Sequence, residues 1–304
     1  MRLCSFLDAG RERLGVAVED PSLPLDAGTG SRARVLPASA VSSGGPATMA
    51  ELLAGGPPLV ERLREATRFA ASRVLSEGAP LAQLELLAPV PRPGKVVAVG
   101  LNYHAHAAEQ GREPPSEPIL FAKFPTAVIG GGAAVRWDPA LTTQVDYEVE
   151  LAVVVGRSLR RVDPSAAIDG VLGYTVANDV TARDLQSADR QWVRGKSLDT
   201  FGPMGPLLVT ADELPDPQTL RLTARVNGEL LQDGRTADMI FSVRELLAYC
   251  SRAFTLEPGD VLLTGTPSGV GVYRNPPRFL HDGDFMAMAI DGIGTLSNPC
   301  REER

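Results

Sequence analysis

The chain has 304 residues, 44% of them hydrophobic and 22% charged, with a formal net charge of −7. That size and composition fit a globular protein of one large domain or two unequal ones, and no apolar run approaches the ~20 residues of a membrane span. An acidic chain without a basic run excludes non-specific contact with nucleic acid, and it requires local cations to hold an anionic substrate.

The N-terminal decapeptide, from Met1 to Gly10, has no apolar core of signal-peptide length. Cys4, Cys250 and Cys300 are odd in number and unpatterned in spacing. They form neither a disulfide framework nor a zinc site, and the expected compartment is a reducing cytoplasm.

Residues 1–88 read as a small N-terminal α+β accessory domain. Thr48 and Glu51 make a capping-box pattern before a short helix over residues 49–54, which Gly55-Gly56 stops. Leu59, Leu63, Ala66, Ala70 and Val74 recur at helical spacing and predict a longer helix ending near Gly78. Pro89, Pro91 and Pro93 make residues 88–94 an extended linker.

From residue 94 to 304 the texture changes to short strands broken by Gly and Pro. Strands are expected at 96–100, 145–156 and 173–178, with a hairpin arm at 220–226 closed by Asn227-Gly228. Ser242 and Glu245 cap a helix on which Val243, Leu246, Leu247 and Cys250 share a face. Residues 256–265 turn through Pro258-Gly259 into a further strand. No Gly-rich phosphate loop follows a strand, so the pattern is strand-dominated α+β.

The strongest chemical signal is Asp146-Tyr147-Glu148-Val149-Glu150. On a continuous strand the three acids share one face, with Val149 and Leu151 on the other. Crowded carboxylates running into an apolar segment repel one another, and a hard divalent ion such as Mg²⁺ or Mn²⁺ relieves them. A solvated acidic face is the competing reading. Asp179 ends the strand that follows, and Arg183 and Gln186 lie one turn apart at the start of a helix.

Only Lys95, Lys123 and Lys196 are lysine among 30 basic residues. A chain that otherwise uses arginine keeps lysine where a compact ammonium is needed, or by chance.

These segments together resemble the fumarylacetoacetate hydrolase family. Gly100-Leu101-Asn102-Tyr103 with His106 and Glu109 is similar to its G-x-N-Y-x-x-H-x-x-E element, and Phe121 with Lys123 to its F-x-K segment. Asp146, Glu148 and Glu150 match D-x-E-x-E, and Asn178-Asp179 with Arg183-Asp184 and Gln186 match N-D-x-x-x-R-D-x-Q. Lys196-Ser197, Asn227-Gly228 with Gln232, Pro258-Gly259-Asp260 and Thr264-Gly265-Thr266-Pro267 follow in order, so the likeness covers residues 94–299.

The resemblance implies a mixed β-sandwich roll as the C-terminal domain. It implies Glu148, Glu150 and Asp179 as ligands of Mg²⁺ or Mn²⁺ (Ca²⁺ able to stand in within crystals). It implies Lys196 beside the metal and the substrate's developing charge, and Tyr103, Arg183, Gln186 and Thr266 at the substrate. His106 and Glu109 form a dyad on a short lid helix, with His104 as the alternative histidine. A homodimer and a small-molecule 2-oxo acid substrate are the implied partners.

The expected reaction is hydrolysis of a C–C bond in a 2,4-dioxo acid such as an acylpyruvate or fumarylpyruvate. His106 activates water, and the pyruvate enolate is stabilised by the metal and Lys196. The alternative is an isomerase or decarboxylase acting on a 2-oxo or 2-hydroxydienoic acid, of the oxaloacetate or 2-hydroxyhepta-2,4-diene-1,7-dioate type. A third possibility is an inactive binding protein that keeps the fold.

Overall fold

The computed structural model describes residues 1–303. Two β-sheets dominate it. The larger has twelve strands, and its path runs from Ala79–Pro80 through Ala33–Pro37, Arg11–Glu19, Arg2–Asp8, Gly202–Thr210, Val171–Asn178, Val149–Val155, Val261–Leu263 and Val96–Gly100 to Ile119–Lys123. The smaller has five strands in the order Glu229–Arg235, Arg221–Val226, Phe285–Ile290, Gly294–Glu302 and Val135–Trp137. Helices are few, as expected of a strand-dominated α+β fold. None among the described residues is long and apolar enough to cross a membrane.

The central strand Val149–Val155 is buried along its whole length, so both of its faces meet apolar neighbours. Val149, Leu151 and Val153 face the core shared with the smaller sheet, against Leu222, Ala224 and Met286. Ala152 and Val154 face a second core, against Leu3, Met49, Leu52 and Leu63 of the N-terminal segment. Glu148 and Glu150 begin this second face. Their side chains therefore lie at the rim of a dry interior.

The N-terminal helices follow the sequence pattern. Thr48 caps Met49–Ala54 by accepting from Glu51 N, and Glu51 reaches back to Ala47 N. Gly56–Glu77 follows at once and buries Leu63 and Val74. Three strands that the patterning did not reveal surround these helices: Arg2–Asp8, Arg11–Glu19 and Ala33–Pro37. Arg2 pairs with Val209 and Leu3 with Leu208, so the N-terminal segment continues the sheet of the remainder. The division at residues 88–94 is a change of composition crossed by backbone hydrogen bonds elsewhere in the sheet.

Three local expectations match in detail. Asn227 (φ 53°) and Gly228 (φ 84°) turn a two-residue hairpin between Arg221–Val226 and Glu229–Arg235. Ser242 and Glu245 form a full capping box on Val243–Ala253. Val96–Gly100 is a buried strand. One differs. The expected strand 145–156 is broken, because Val145–Asp146 pairs with Thr181–Ala182 and regular pairing resumes only at Val149. Asp146 therefore leaves the face that carries Glu148 and Glu150. Its carboxylate accepts instead from Gly271 N and Val272 N, and from Arg183 Nε at 2.8 Å.

Candidate active site

Antiparallel register brings the acids together. Val149 pairs with Asn178 and Glu150 with Ala177, so Asp179, one residue beyond the strand end, falls beside Glu148. Asp179 N donates to the Glu148 carbonyl, and Asn178 Oδ1 accepts from Glu148 N. Glu148, Glu150 and Asp179 are buried, and each places a carboxylate oxygen within 4.8 Å of the others.

Three buried cations oppose two of these carboxylates, Glu148 and Asp179. Lys196 Nζ donates to Glu148 at 2.7 Å and to Asp179 at 2.6 Å. Lys123 Nζ donates to the other Asp179 oxygen at 2.6 Å and to the Val180 carbonyl. Arg183 Nη2 lies 2.6 Å from Glu148. Burial pushes the Glu148 carboxyl up, but Lys196, and then Arg183 and His106, more than offset it and hold it below the usual carboxylate range. Burial likewise disfavours the Lys196 ammonium, yet Asp179 and Glu148 raise it above its ordinary value. Lys123 is lowered, because burial, joined by the neighbouring Lys196 charge, outweighs the pull of Asp179.

Glu150 is different. It makes no ion pair among the described residues and accepts only from Gly265 N, at 2.8 Å. Burial, then the Asp179 and Glu148 charges, push its carboxyl well above the ordinary value. An all-oxygen cluster whose third member lacks a counter-charge fits a hard divalent cation, which supplies that charge. The donor set therefore passes the test that the sequence sets for it: a buried acidic triad able to hold a divalent metal.

A cavity of about 340 Å³ opens on Glu148 and Glu150 and is lined by His106, Gln110, Lys196 and Trp192. Phe121 packs edge-on to Trp192 (centroids 5.4 Å apart) to make the apolar wall. Gly100 permits this wall, since a Cβ there would stand 2.5 Å from the Trp192 ring.

The lid helix His104–Glu109 covers one side. His106 is 5% exposed and its Nδ1 lies 2.6 Å from Glu109 Oε1, while His104 is exposed. The other oxygen of Glu109 accepts from Gly269 N at 2.9 Å, which ties the lid to the loop after Thr266. The chain leaves the helix through Gly111 (φ 64°), and Arg112 N returns to the Ala107 carbonyl. Arg112 thereby lines the cavity, and its side chain has no ion pair among the described residues.

Of the substrate contacts expected from the resemblance, Gln186 lines the cavity with its amide nitrogen free, its oxygen accepting from Arg183 Nη1 at 3.1 Å. Arg183 also lines it, but its guanidinium is engaged by Asp146, Glu148 and Gln186, so it positions Glu148. The Thr266 hydroxyl is taken too, donating to the Val149 carbonyl and accepting from Gln232. Tyr103 stands off the cavity wall. Its backbone bridges to Met239, its ring packs in the core and its hydroxyl has no hydrogen-bond partner among the described residues. Burial, then the Glu150 charge, raise that phenol well above its ordinary value.

Sequence reasoning gave Lys123 no chemical role, although lysine scarcity pointed to it. Gln110 and Arg112 fell outside every motif. The spacing of Gln110, one turn after His106, was the available signal.

The family model described as fumarylacetoacetate (FAA) hydrolase, C-terminal, matches residues 95–301. The chain is 45% identical over 259 residues to oxaloacetate tautomerase YisK of Bacillus subtilis (strain 168), covering 83% of this chain and 86% of that one. It is 43% identical over 283 residues to the mitochondrial oxaloacetate tautomerase FAHD2A of Homo sapiens, covering 91% and 87%. The solved 2-hydroxyhepta-2,4-diene-1,7-dioate isomerase of Mycobacterium marinum superposes with a TM-score of 0.74 at 34% identity, over 100% and 99% of the two chains.

These relatives overturn the expected C–C hydrolase. Their names are those of tautomerases and an isomerase, reactions that relocate a proton and leave the carbon skeleton intact, and they agree with the isomerase alternative. The motifs misled for a physical reason: cleavage and tautomerisation build the same negative charge on a 2-oxo acid, so one set of charged residues serves both. The human relative is named mitochondrial, so the relatives do not carry the cytoplasmic expectation. Matched by the family model over most of its length, and by named enzymes over nearly all of it, the chain belongs to the fumarylacetoacetate hydrolase family.

Proposed function

We propose that the protein is a tautomerase of a small 2-oxo dicarboxylic acid, with oxaloacetate the first candidate. The observation that carries this reading is the placement of the His106–Glu109 pair and Lys196 around one cavity with the acid triad. The tautomerase relatives narrow the chemistry.

Glu148, Glu150 and Asp179 would hold Mg²⁺ or Mn²⁺, which when bound supplies Lewis-acid polarisation of the 2-oxo group. The Lys196 ammonium has three hydrogens and spends two on Glu148 and Asp179. The third is left for the oxygen on the substrate's C2, where negative charge develops. Glu109 holds the hydrogen on His106 Nδ1, so Nε2 carries the lone pair that takes the enol O–H proton. The same nitrogen returns a proton to C3, and the imidazolium formed in between faces the Glu109 carboxylate. One bond to hydrogen breaks at oxygen and one forms at carbon. Gln186 offers its amide to the near carboxylate, and Arg112, free of other anions, suits the distal one.

The isomerase neighbour supports a second reading, the same proton transfer along a longer 2-hydroxydienedioate. A homodimer stays part of the proposal, supported by the edge strand Ile119–Lys123 with Ile119 and Phe124 exposed beside it.

Enol-oxaloacetate and a 2-hydroxydienedioate should be supplied with Mg²⁺ or Mn²⁺ and the loss of enol absorbance followed. The expected result is metal-dependent acceleration that His106→Ala lowers by about 10²- to 10⁴-fold. An enol that decays at its uncatalysed rate in the presence of metal and protein removes the reading.

A further inference from the structure

The lid helix brings a second side chain to His106. Gln110 follows it by one turn, at the helix C-cap, and its amide nitrogen lies 2.9 Å from His106 Nε2. Because a carboxylate only accepts, Glu109 fixes the hydrogen on Nδ1 and leaves the lone pair on Nε2. Because an amide nitrogen only donates, Gln110 gives its hydrogen to that lone pair. Two neighbours on one short helix thus select the same tautomer and occupy both ring nitrogens. The lone pair points in a single direction in the ring plane, so a water and the Gln110 amide cannot both hold it. Both His106 and Gln110 line the cavity, so the amide stands where a water reaching the ring from that space would sit.

We propose that Gln110 is a specificity-determining residue that holds His106 Nε2 against water and so confines the site to proton transfer within a bound 2-oxo acid. The inference rests on the tautomerase reading of the same site.

Hydrolysis of an acylpyruvate needs water to give a proton to Nε2 as its oxygen bonds the acyl carbon. The C–C bond then breaks and its electron pair passes to the pyruvate fragment. Tautomerisation exchanges only an O–H for a C–H bond on the substrate itself. A bound 2-oxo acid offers carboxylate and carbonyl oxygens as better acceptors for the amide. The amide yields Nε2 to the O–H of the bound substrate, which is held beside the ring, whereas a free water has to compete with the amide for the same lone pair.

Wild type, Gln110→Ala and Gln110→Asn are assayed side by side, with Mn²⁺, for enol-oxaloacetate tautomerisation and for acetylpyruvate hydrolysis. The ratio of hydrolysis to tautomerisation is expected to rise by about tenfold or more in Gln110→Ala. It rises in the same direction in Gln110→Asn, whose amide is one methylene too short to reach the ring. In ¹⁵N spectra of the metal-free protein the His106 Nε2 resonance shifts in both variants and Nδ1 does not, a pattern that a merely structural glutamine does not produce. An unchanged ratio in a variant that still tautomerises overturns the inference, and so does an unmoved Nε2 resonance. A wild-type protein that leaves the enol untouched removes the tautomerase reading instead, and the Nε2 resonance then decides Gln110 alone.

Discussion

Glu150 differs from its two acidic neighbours in having no cation of its own, and this gives the site a pH signature. Its carboxyl is raised, so above the ordinary carboxylate range the folded chain keeps a proton that the unfolded chain has released. Stability then falls as pH rises, until Glu150 itself ionises in the folded state. The metal-free protein should lose stability from about pH 5 upward, a slope that Glu150→Gln removes and added Mn²⁺ counters. Denaturant melts of both proteins across that range check it, and equal slopes in the two would place the titrating group elsewhere. Legibility at this scale was uneven. Glu148 and Glu150 could be read from spacing, since alternate strand residues share a face, whereas Asp179 joined them only through the family resemblance. Asp146 could not, because the break at Tyr147 and Glu148 depends on Asn178 and on a two-residue strand formed far along the chain. Lys123 stood out as one of three lysines, but its contact with Asp179 depends on sheet order, which no local pattern encodes.

Among elements, those with punctuation were readable. The capping box at Ser242 and the Asn227-Gly228 turn act through neighbours a few residues apart, so the sequence carries them locally. The strands Arg2–Asp8 and Arg11–Glu19 have runs of residues buried on both faces, which erases the two-residue alternation that marks a half-buried strand. The lid helix is short, and its course depends on Gly111, whose left-handed backbone turns the chain so that Arg112 faces the cavity. A Cβ at Gly111 meets nothing within 4 Å, so Gly111→Ala tests backbone strain alone. The substitution should cost the closed lid about 1 kcal/mol. Steady-state kinetics should show a several-fold higher KM with kcat largely kept, and unchanged values of both would show that the turn does not govern closure.

At the scale of the molecule, the site stands on a sheet whose strands come from both ends of the sequence. Gly202–Thr210 pairs with Arg2–Asp8 on one side and with Val171–Asn178 on the other, so the strand leading to Asp179 is one step from the N-terminal segment. Met49, Leu52 and Leu63 also cover the face of Val149–Val155 that begins with the two glutamates. A fragment starting at residue 94 would expose that apolar face and a strand edge together. It is expected to aggregate or to unfold without a cooperative transition. A monomeric fragment that melts cooperatively and binds Mn²⁺ would instead establish two independent folding units. Composition at residues 88–94 suggested such a boundary, and the long-range pairing of Arg2 with Val209 is what no composition reveals.

The Glu109 carboxylate has one oxygen on the histidine and the other on the Gly269 amide. On the proposed mechanism this single side chain both orients the base and clasps its cover. On that mechanism, opening the lid would loosen the grip on the imidazole, and the ring would be fully prepared only with the cover shut. Variation at position 109 cannot adjust motion and proton traffic separately, and the glycine end of the clasp offers no freedom of its own, because a Cβ at Gly269 would stand 2.2 Å from the Leu231 carbonyl oxygen.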